Sequence, residues 1–354
     1  MLDVSTQKGI MELLAELKGK GLSMIFITHD LSLLEGFADK IIVLKNGEVV
    51  EKANSKTFFE SPQHSYAKNL LAAIPSLELG VQDPLAEQQA EEKQTEAILN
   101  LKGINKTFIK QASFGKKSFV KAVNDVSFSI QEGSCTALVG ESASGKTTCG
   151  RLIVRLEQLD NDSGTILYKG QDLLKADKKL QQEVQMIFQH PLHSFDPRQK
   201  INDAFAEMEK IAGMEASKER RVGLLERMGM DASALNKYPH EFSGGQGQRL
   251  TIARALLLKP RLLILDESLS GLDVLVQEKI MDLLRQIKTE ENLSYLFITH
   301  DLRAVRHLAD QIVVLKNGQV REISDNQSFF NNPQDAYSQS LLEAIPKLHI
   351  DRLG

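Results

Sequence analysis

At 354 residues, 42% hydrophobic and 25% charged, the chain has the makeup of a soluble globular protein long enough for two to three domains. A formal net charge of −4 gives no electrostatic reason to expect nucleic acid as a partner. Cys135 and Cys149 offer neither a disulfide framework nor zinc spacing, no apolar run approaches the ~18–20 residues that span a bilayer, and no basic segment followed by an apolar core opens the chain, so a cytosolic protein is expected, with any membrane association made through a partner.

The elements read as follows in chain order. Ile10, Leu13, Leu14 and Leu17 have helical spacing over residues 8–20, and Gly19 and Gly21 end that helix. Met24–Thr28 reads as a short apolar strand, and Ile41–Leu44 as another, closed by the turn pair Asn46-Gly47. Residues 80–97 are rich in Gln and Glu, with Pro84 and no aromatic residue, which is linker composition. A new domain begins near Ile98. Val126, Phe128 and Ile130 alternate with polar residues, as in a half-buried strand, and Thr136–Val139 is a buried strand leading into a Gly-rich turn. Residues 200–235 are helical in pattern, punctuated by Gly213 and Gly229. Leu262–Leu265 is wholly apolar, as in strands that parallel sheets bury on both faces. Tyr295–Ile298 and Ile312–Leu315 follow as strands. Strands alternating with helices predict an α/β domain.

The chain repeats itself. Ile25-Phe-Ile-Thr-His29-Asp-Leu31 returns as Leu296-Phe-Ile-Thr-His300-Asp-Leu302, Lys45-Asn46-Gly47 as Lys316-Asn317-Gly318, Tyr66 as Tyr337 and Ile74-Pro75 as Ile345-Pro346. The offset is a constant 271 residues, as from His29 to His300, which marks an internal duplication. The second copy has a long motif-rich stretch in front of it and the first has none, so the expected organisation is a C-terminal fragment of one domain over 1–79, a linker over 80–97 and a complete domain over 98–354.

The motif-rich stretch carries the chemistry. Gly140-Glu-Ser-Ala-Ser-Gly145-Lys146-Thr147 fits G-x-x-x-x-G-K-[ST] between a strand and a helix. Its glycines allow a loop whose backbone N–H groups cradle phosphate, Lys146 reaches the β and γ phosphates, and Thr147 suits Mg²⁺. The apolar strand at 262–265 ends in Asp266, suited to the Mg²⁺ coordination sphere, and Glu267, suited to polarising an attacking water. Ser243-Gly244-Gly245-Gln246 opens the helical run from Leu250 to Leu258, which reads as a second phosphate-binding end or a simple helix cap. His300 follows an apolar strand.

Taken in order, Walker A at 140–147, Gln189 in Ile-Phe-Gln-His, the signature at 243–246, Walker B at 262–267, the D-loop Ser270-Gly271-Leu272-Asp273 and the switch histidine His300 resemble the ATPase subunits of ABC transporters. Ile187-Phe-Gln-His-Pro-Leu-His-Ser-Phe-Asp-Pro-Arg198, Tyr238-Pro-His-Glu-Phe-Ser243 and the twice-present tail Pro333…Tyr337…Ile345-Pro346 resemble the dipeptide, oligopeptide and nickel importer class. The resemblance implies a P-loop NTPase fold with an antiparallel β subdomain and a helical subdomain. It implies ATP and Mg²⁺ as cofactors, with Thr147, Gln189 and Asp266 at the metal and Glu267, His300, Gln189 and Lys146 as catalytic groups. Gly140, Ser142, Ala143, Ser144, Gly145, Lys146, Thr147 and Thr148 would bind phosphates. Ser243, Gly244, Gly245, Gln246 and Asp273 would reach the ATP held by a second ATPase domain. Phe108 is the aromatic expected to stack on adenine, with Phe119 as the alternative. Implied partners are that second domain, two transmembrane permease subunits on whose cytoplasmic side the protein sits, and, indirectly, a solute-binding protein.

Several residues depart from the family pattern. Ala143 and Gly247 stand where Gly and Arg are usual, Ser268-Leu269 replaces Pro-Thr after the catalytic Glu, and His190 replaces an acid. Ala143 at a positive φ would cost ~1 kcal/mol or somewhat more. The first copy keeps Asp3 and His29 but no phosphate loop, signature or Walker B, so it is expected to be loosely folded or to dock on another chain, with His29 a remnant. Two further readings compete: a soluble ABC ATPase without a transport role, and an inert remnant of a double-ATPase gene.

Overall fold

The computed structural model describes residues 4–74, 96–111 and 117–346. Most of the linker expected at 80–97, Pro75, and the tail after Pro346 lie outside the described residues.

The first copy is small. Helix α1 (Val4–Gly19) is followed by an irregular stretch and a one-turn helix, Leu31–Leu33, capped by Asp30, whose carboxylate accepts the Ser32 N–H at 3.0 Å. Strands β1 (Lys40–Lys45) and β2 (Glu48–Asn54) then pair antiparallel. Asn46 and Gly47 turn the chain at φ 53° and 83°, the doubly positive φ of tight hairpins. Helices α2 (Ser55–Glu60) and α3 (Ser65–Ala72) close over Leu31, Leu34, Ile41, Val43, Phe58 and Phe59, which form a core of their own.

Met24–Thr28, predicted as a strand, is not one: it enters no sheet, and Ile25 and Ile27 are 95% and 93% exposed. The physical reason is its surroundings. The equivalent Leu296 and Ile298 lie in a strand flanked on both sides and are 0% exposed. Among the described residues no strand flanks 24–28, and a strand without ladder partners leaves its N–H and C=O groups to solvent.

The second copy is the main body. Strands β3 (Ala97–Gln111) and β4 (Lys117–Gln131) make a long hairpin, which β6 (Thr165–Tyr168) and β7 (Gln171–Asp172) extend into a four-stranded antiparallel sheet of order β4-β3-β6-β7. Between them run β5 (Cys135–Val139) and α4 (Lys146–Ile153). Helix α5 (Lys178–Gln182) leads into β8 (Val184–Ile187). A helical region follows: α6 (Ile201–Ile211), α7 (Lys218–Arg227) and α8 (Gly244–Leu256). Gly213 and Gly229, at φ 70° and 65°, stop α6 and α7 in the left-handed conformation typical after helix ends. Then come β9 (Leu262–Asp266), α9 (Val274–Glu291), β10 (Ser294–Ile298), α10 (Leu302–Leu308), β11 (Gln311–Lys316), β12 (Gln319–Asp325), α11 (Asn326–Asn331) and α12 (Ala336–Glu343).

The six-stranded sheet has the order β12-β11-β5-β10-β9-β8, parallel except for the antiparallel edge strand β12. Every residue of β5, β9 and β10 is buried, as the apolar runs require when both faces are covered. Cys135 and Cys149 are buried there as small hydrophobes. The carboxyl ends of β5 and β9 thus lie at the same edge of the sheet, one on each side of β10, the usual place for ligands in open parallel sheets.

Candidate functional site

The loop after β5 is built from close backbone approaches. A Cβ at Gly140 would come within 2.0 Å of the Leu315 carbonyl oxygen, and one at Gly145, at φ 105°, within 2.2 Å of the Ala122 carbonyl oxygen. Only glycine fits either position. Ser144 O accepts the Gly318 N–H at 2.9 Å, so the hairpin β11–β12 braces the loop from outside. Ala143 sits at φ 62°, the left-handed conformation that disfavours a Cβ, so the replacement of glycine there does impose strain. Lys146 donates to the carbonyls of Gly140 at 2.8 Å and Glu141 at 2.7 Å, with Ser144 Oγ at 3.5 Å. Ser142, Ala143, Ser144 and Gly145 line the same turn, and Thr147 and Thr148 continue into α4, whose N-terminal N–H groups face it.

The next group comes from β9. Thr147 Oγ1 donates to Asp266 Oδ1 at 2.8 Å, across 119 positions of sequence. Asp266 is buried, which raises its pKa; the neighbouring Glu267 charge adds to the rise and the Thr147 bond opposes it. Glu267 follows at φ 46°, a strained left-handed turn that aims its side chain away from the strand line. Its Oε1 lies 3.4 Å from His300 Nδ1, and its Oε2 accepts from Gln189 Nε2 at 2.9 Å. The His300 contact leads the causes that hold the Glu267 carboxyl below its ordinary range. Two adjacent carboxylates are therefore pushed apart in acidity, the more buried one upward and the more exposed one downward.

The structure therefore brings Lys146, Thr147, Asp266, Glu267, Gln189 and His300 into one cluster. It carries the signature separately. Ser243 and Gln246 form a reciprocal capping box at the start of α8, with bonds of 3.4 Å and 3.1 Å. A Cβ on Gly245 would meet Val276 Cγ1 at 2.5 Å, and one on Gly244 would meet Leu272 at 3.3 Å. Asp273 caps α9 by accepting the Val276 N–H at 3.0 Å. Ser243–Gln246 and Asp273 thus make a second, exposed cluster at the capped N-termini of α8 and α9. Phe108 is half-buried on β3, with Lys106 Nζ 5.2 Å from its ring centroid. It pairs with Val120, two residues before the Ala122 that packs on Gly145. Phe119 points out, 67% exposed.

The other departures have local accounts. A Cβ at Gly247 would come within 2.8 Å of Leu192, so the glycine lets α8 approach the turn Pro191–Ser194. Ser268 is buried and its hydroxyl finds no hydrogen-bond partner among the described residues. His190 precedes that turn without a side-chain capping bond, its ring 5.0 Å from that of His193. One residue that touches the loop escaped the sequence reading as a site residue: Tyr337, whose hydroxyl accepts the Glu141 N–H at 3.0 Å. Its recurrence as Tyr66 was the available signal.

The donors present suit ATP with Mg²⁺. Thr147 and Asp266 supply the hard oxygen donors that such a metal takes, and among the described residues no group of three His, Cys, Asp or Glu could hold a metal.

Comparison with known proteins agrees with this geometry. The family described as ABC transporter matches residues 123–270, and the oligopeptide/dipeptide transporter C-terminal region matches residues 50–103 and 321–353, once in each copy. The chain is 38% identical over 354 residues to the peptidoglycan transport ATP-binding protein YejF of Agrobacterium fabrum, covering 97% of this chain and 63% of that protein. It is 37% identical over 372 residues to the glutathione import ATP-binding protein GsiA of Salmonella typhi, covering 98% and 59%. The chain thus spans about three fifths of the length of these curated relatives. A dimeric ATP-binding cassette in a post-hydrolysis state with ADP and Pi superposes with a TM-score of 0.57 at 26% identity, covering 64% of this chain and 98% of that one. CbiO1 of Clostridium perfringens, part of an ABC transporter complex, gives 0.56 at 25%, covering 67% and 92%. The chain carries an ABC transporter ATP-binding domain, matched over residues 123–270, together with two matches to the oligopeptide/dipeptide transporter C-terminal region.

Proposed function

We propose that this chain binds and hydrolyses ATP to energise an importer of peptides or related small solutes. The observation that carries the reading is the cluster in which Gln189 and His300 both touch Glu267 while Thr147 holds Asp266 beside it. In this reading Lys146 leaves its loop carbonyls for the β and γ phosphates, and the N–H groups of the 140–148 loop hold the remaining phosphate oxygens. Thr147, Asp266 and Gln189 would hold Mg²⁺, which when bound neutralises charge on the phosphates. Glu267, kept ionised by its contacts, polarises the attacking water, and His300 and Gln189 hold it in place. Phe108 stacks on adenine.

The exposed second cluster, Ser243–Gln246 with Asp273, faces the ATP of another ATPase domain. This domain is a second copy of residues 98–354 or a separate subunit. The names of the relatives support import of peptide-like solutes, and the doubled C-terminal region supports a double-ATPase arrangement. Partners in this reading are two permease subunits, which hold the protein at the cytoplasmic face of the membrane, and a solute-binding protein acting through them. No described helix is long and apolar enough to cross a membrane, which fits attachment through such subunits.

The test uses the purified chain with Mg-ATP. Turnover is expected in the wild type, and Glu267→Gln should retain nucleotide binding with kcat reduced at least about a hundredfold, the scale of a lost general base. Equal turnover in both would overturn the role of Glu267, and absence of turnover and of nucleotide binding in the wild type would overturn the ATPase reading.

A further inference from the structure

The two Thr-His-Asp turns of the duplication meet. Thr28 Oγ1 accepts the Asp30 N–H at 2.9 Å and Thr299 Oγ1 accepts the Asp301 N–H at 3.0 Å, so the turns have the same internal wiring. Both border one cleft, which His29, Asp30, His300 and Asp301 line together. Across it reaches Arg303. Its Nη1 donates to Ser32 Oγ at 2.9 Å and lies 3.6 Å from Asp30 Oδ1, and its Nη2 donates to the Pro346 carbonyl at 2.9 Å. Ser32 is the counterpart of Arg303 at the 271-residue offset, so equivalent positions of the two copies touch, with arginine on one side and serine on the other.

Arg303 stands three residues after His300, in the first turn of α10, whose cap is Asp301. Its side chain is only 13% exposed, and a guanidinium so enclosed needs its hydrogen-bond acceptors. Ser32 is 3% exposed, held by a short hydrogen bond to Asp30, so the acceptor side is itself fixed. The segment His300–Arg303, which leads into α10, is therefore pinned at two ends. On the inner side His300 touches Glu267, and on the outer side Arg303 is tied to the first copy and to the tail.

We propose that the first copy acts as an in-chain brace for the switch histidine. Arg303 is the positioning residue and Asp30 with Ser32 the surface that holds it. The inference rests on the ATP-hydrolysing reading for its kinetic effect, but not for its structural one. It gives the first copy a role despite the absence of a phosphate loop from its described residues. That role is to set the angle of α10, and through it the approach of His300 to Glu267.

The experiment uses the full chain and two readouts: steady-state ATP hydrolysis, and the imidazole signals of His300 in carbon-13-histidine NMR, assigned with His300→Gln. Arg303→Ala is expected to lower kcat about tenfold, the lower end of the worth of one hydrogen bond to a charged group, with KM for ATP unchanged. The double change Asp30→Asn with Ser32→Ala, in the first copy alone, should reproduce that loss. Adding Arg303→Ala to it should cost much less than Arg303→Ala alone, the remainder being the Pro346 bond, because coupled residues are not additive. Arg303→Lys should recover part of the rate. All of these except the lysine variant should move the His300 signals as Arg303→Ala does. Losses that add, or first-copy variants with wild-type kcat and unmoved His300 signals, would overturn the proposal. If Arg303→Ala fails to fold, the first-copy variants decide. If the wild type does not turn over ATP, the hydrolytic reading falls and the histidine signals alone decide the brace: moved supports it, unmoved overturns it.

Discussion

The two copies share a sequence phrase and differ in what surrounds it. Leu296-Phe-Ile lies in the middle of a parallel sheet, buried and paired on both sides. Ile25-Phe-Ile has the same apolar character and lies in no sheet. Likewise Val313 and Leu315 are buried against the sheet, whereas their counterparts Ile42 and Leu44 stand exposed on a two-stranded hairpin. Strand propensity is thus realised only where neighbouring strands supply partners. What survives in the first copy is what local chemistry can hold unaided: the Asp30 cap, the Asn46-Gly47 hairpin, and the Phe58-Phe59 edge-to-face pair, whose counterpart is Phe329-Phe330.

The comparison breaks most easily at its apolar residues. Ile298→Ala should destabilise the chain by about 2–5 kcal/mol, as for other large core truncations, while Ile27→Ala should stay within about 0.5 kcal/mol. Urea unfolding with a probe for each copy checks this, and a comparable loss at Ile27 would show that its face is covered in solution. A smaller free-energy change, but a sharper functional one, separates the histidines. His300→Ala is expected to reduce ATP turnover about a hundredfold or more, since it removes a contact to Glu267. His29→Ala should reduce it no more than about twofold, and steady-state kinetics on both variants measures the gap.

The smallest effect concerns two glutamates in equivalent places. Glu51 accepts the N–H groups of Gln63 and His64, and Glu322 those of Gln334 and Asp335. Burial raises the Glu322 pKa, but the hydrogen bonds it accepts outweigh this and leave it below the ordinary value of 4.5. The carboxylate therefore stabilises the fold above that value, and this contribution is lost as pH falls through the lower folded one. Glu322→Gln should make the acid arm of the unfolding curve shallower below about pH 4.5. An unchanged slope would show that the clamp carries no proton linkage.

Much of the second copy was legible because its signals are local. The phosphate loop, the strand ending in Asp266 and Glu267, and the cap at Ser243 each announce themselves within a few residues. The α/β class followed from strand and helix alternation, and the strain at Ala143 from one missing glycine. What escaped the sequence lies between distant elements. The Tyr337 hydroxyl reaches a loop 196 positions away, Arg303 reaches Ser32 over 271, and Gly247 makes room for Leu192. The strand misread at Met24–Thr28 belongs with these, because its outcome depends on flanking strands and not on its own residues.

The Tyr337 contact has an optical consequence. The chain has five tyrosines and no tryptophan, so tyrosine emission is not drained by energy transfer to an indole. One of those five phenols is bonded to the amide that opens the phosphate loop. The unlabelled protein therefore carries its own ultraviolet reporter on that loop, placed there by the segment that matches the oligopeptide/dipeptide transporter C-terminal region.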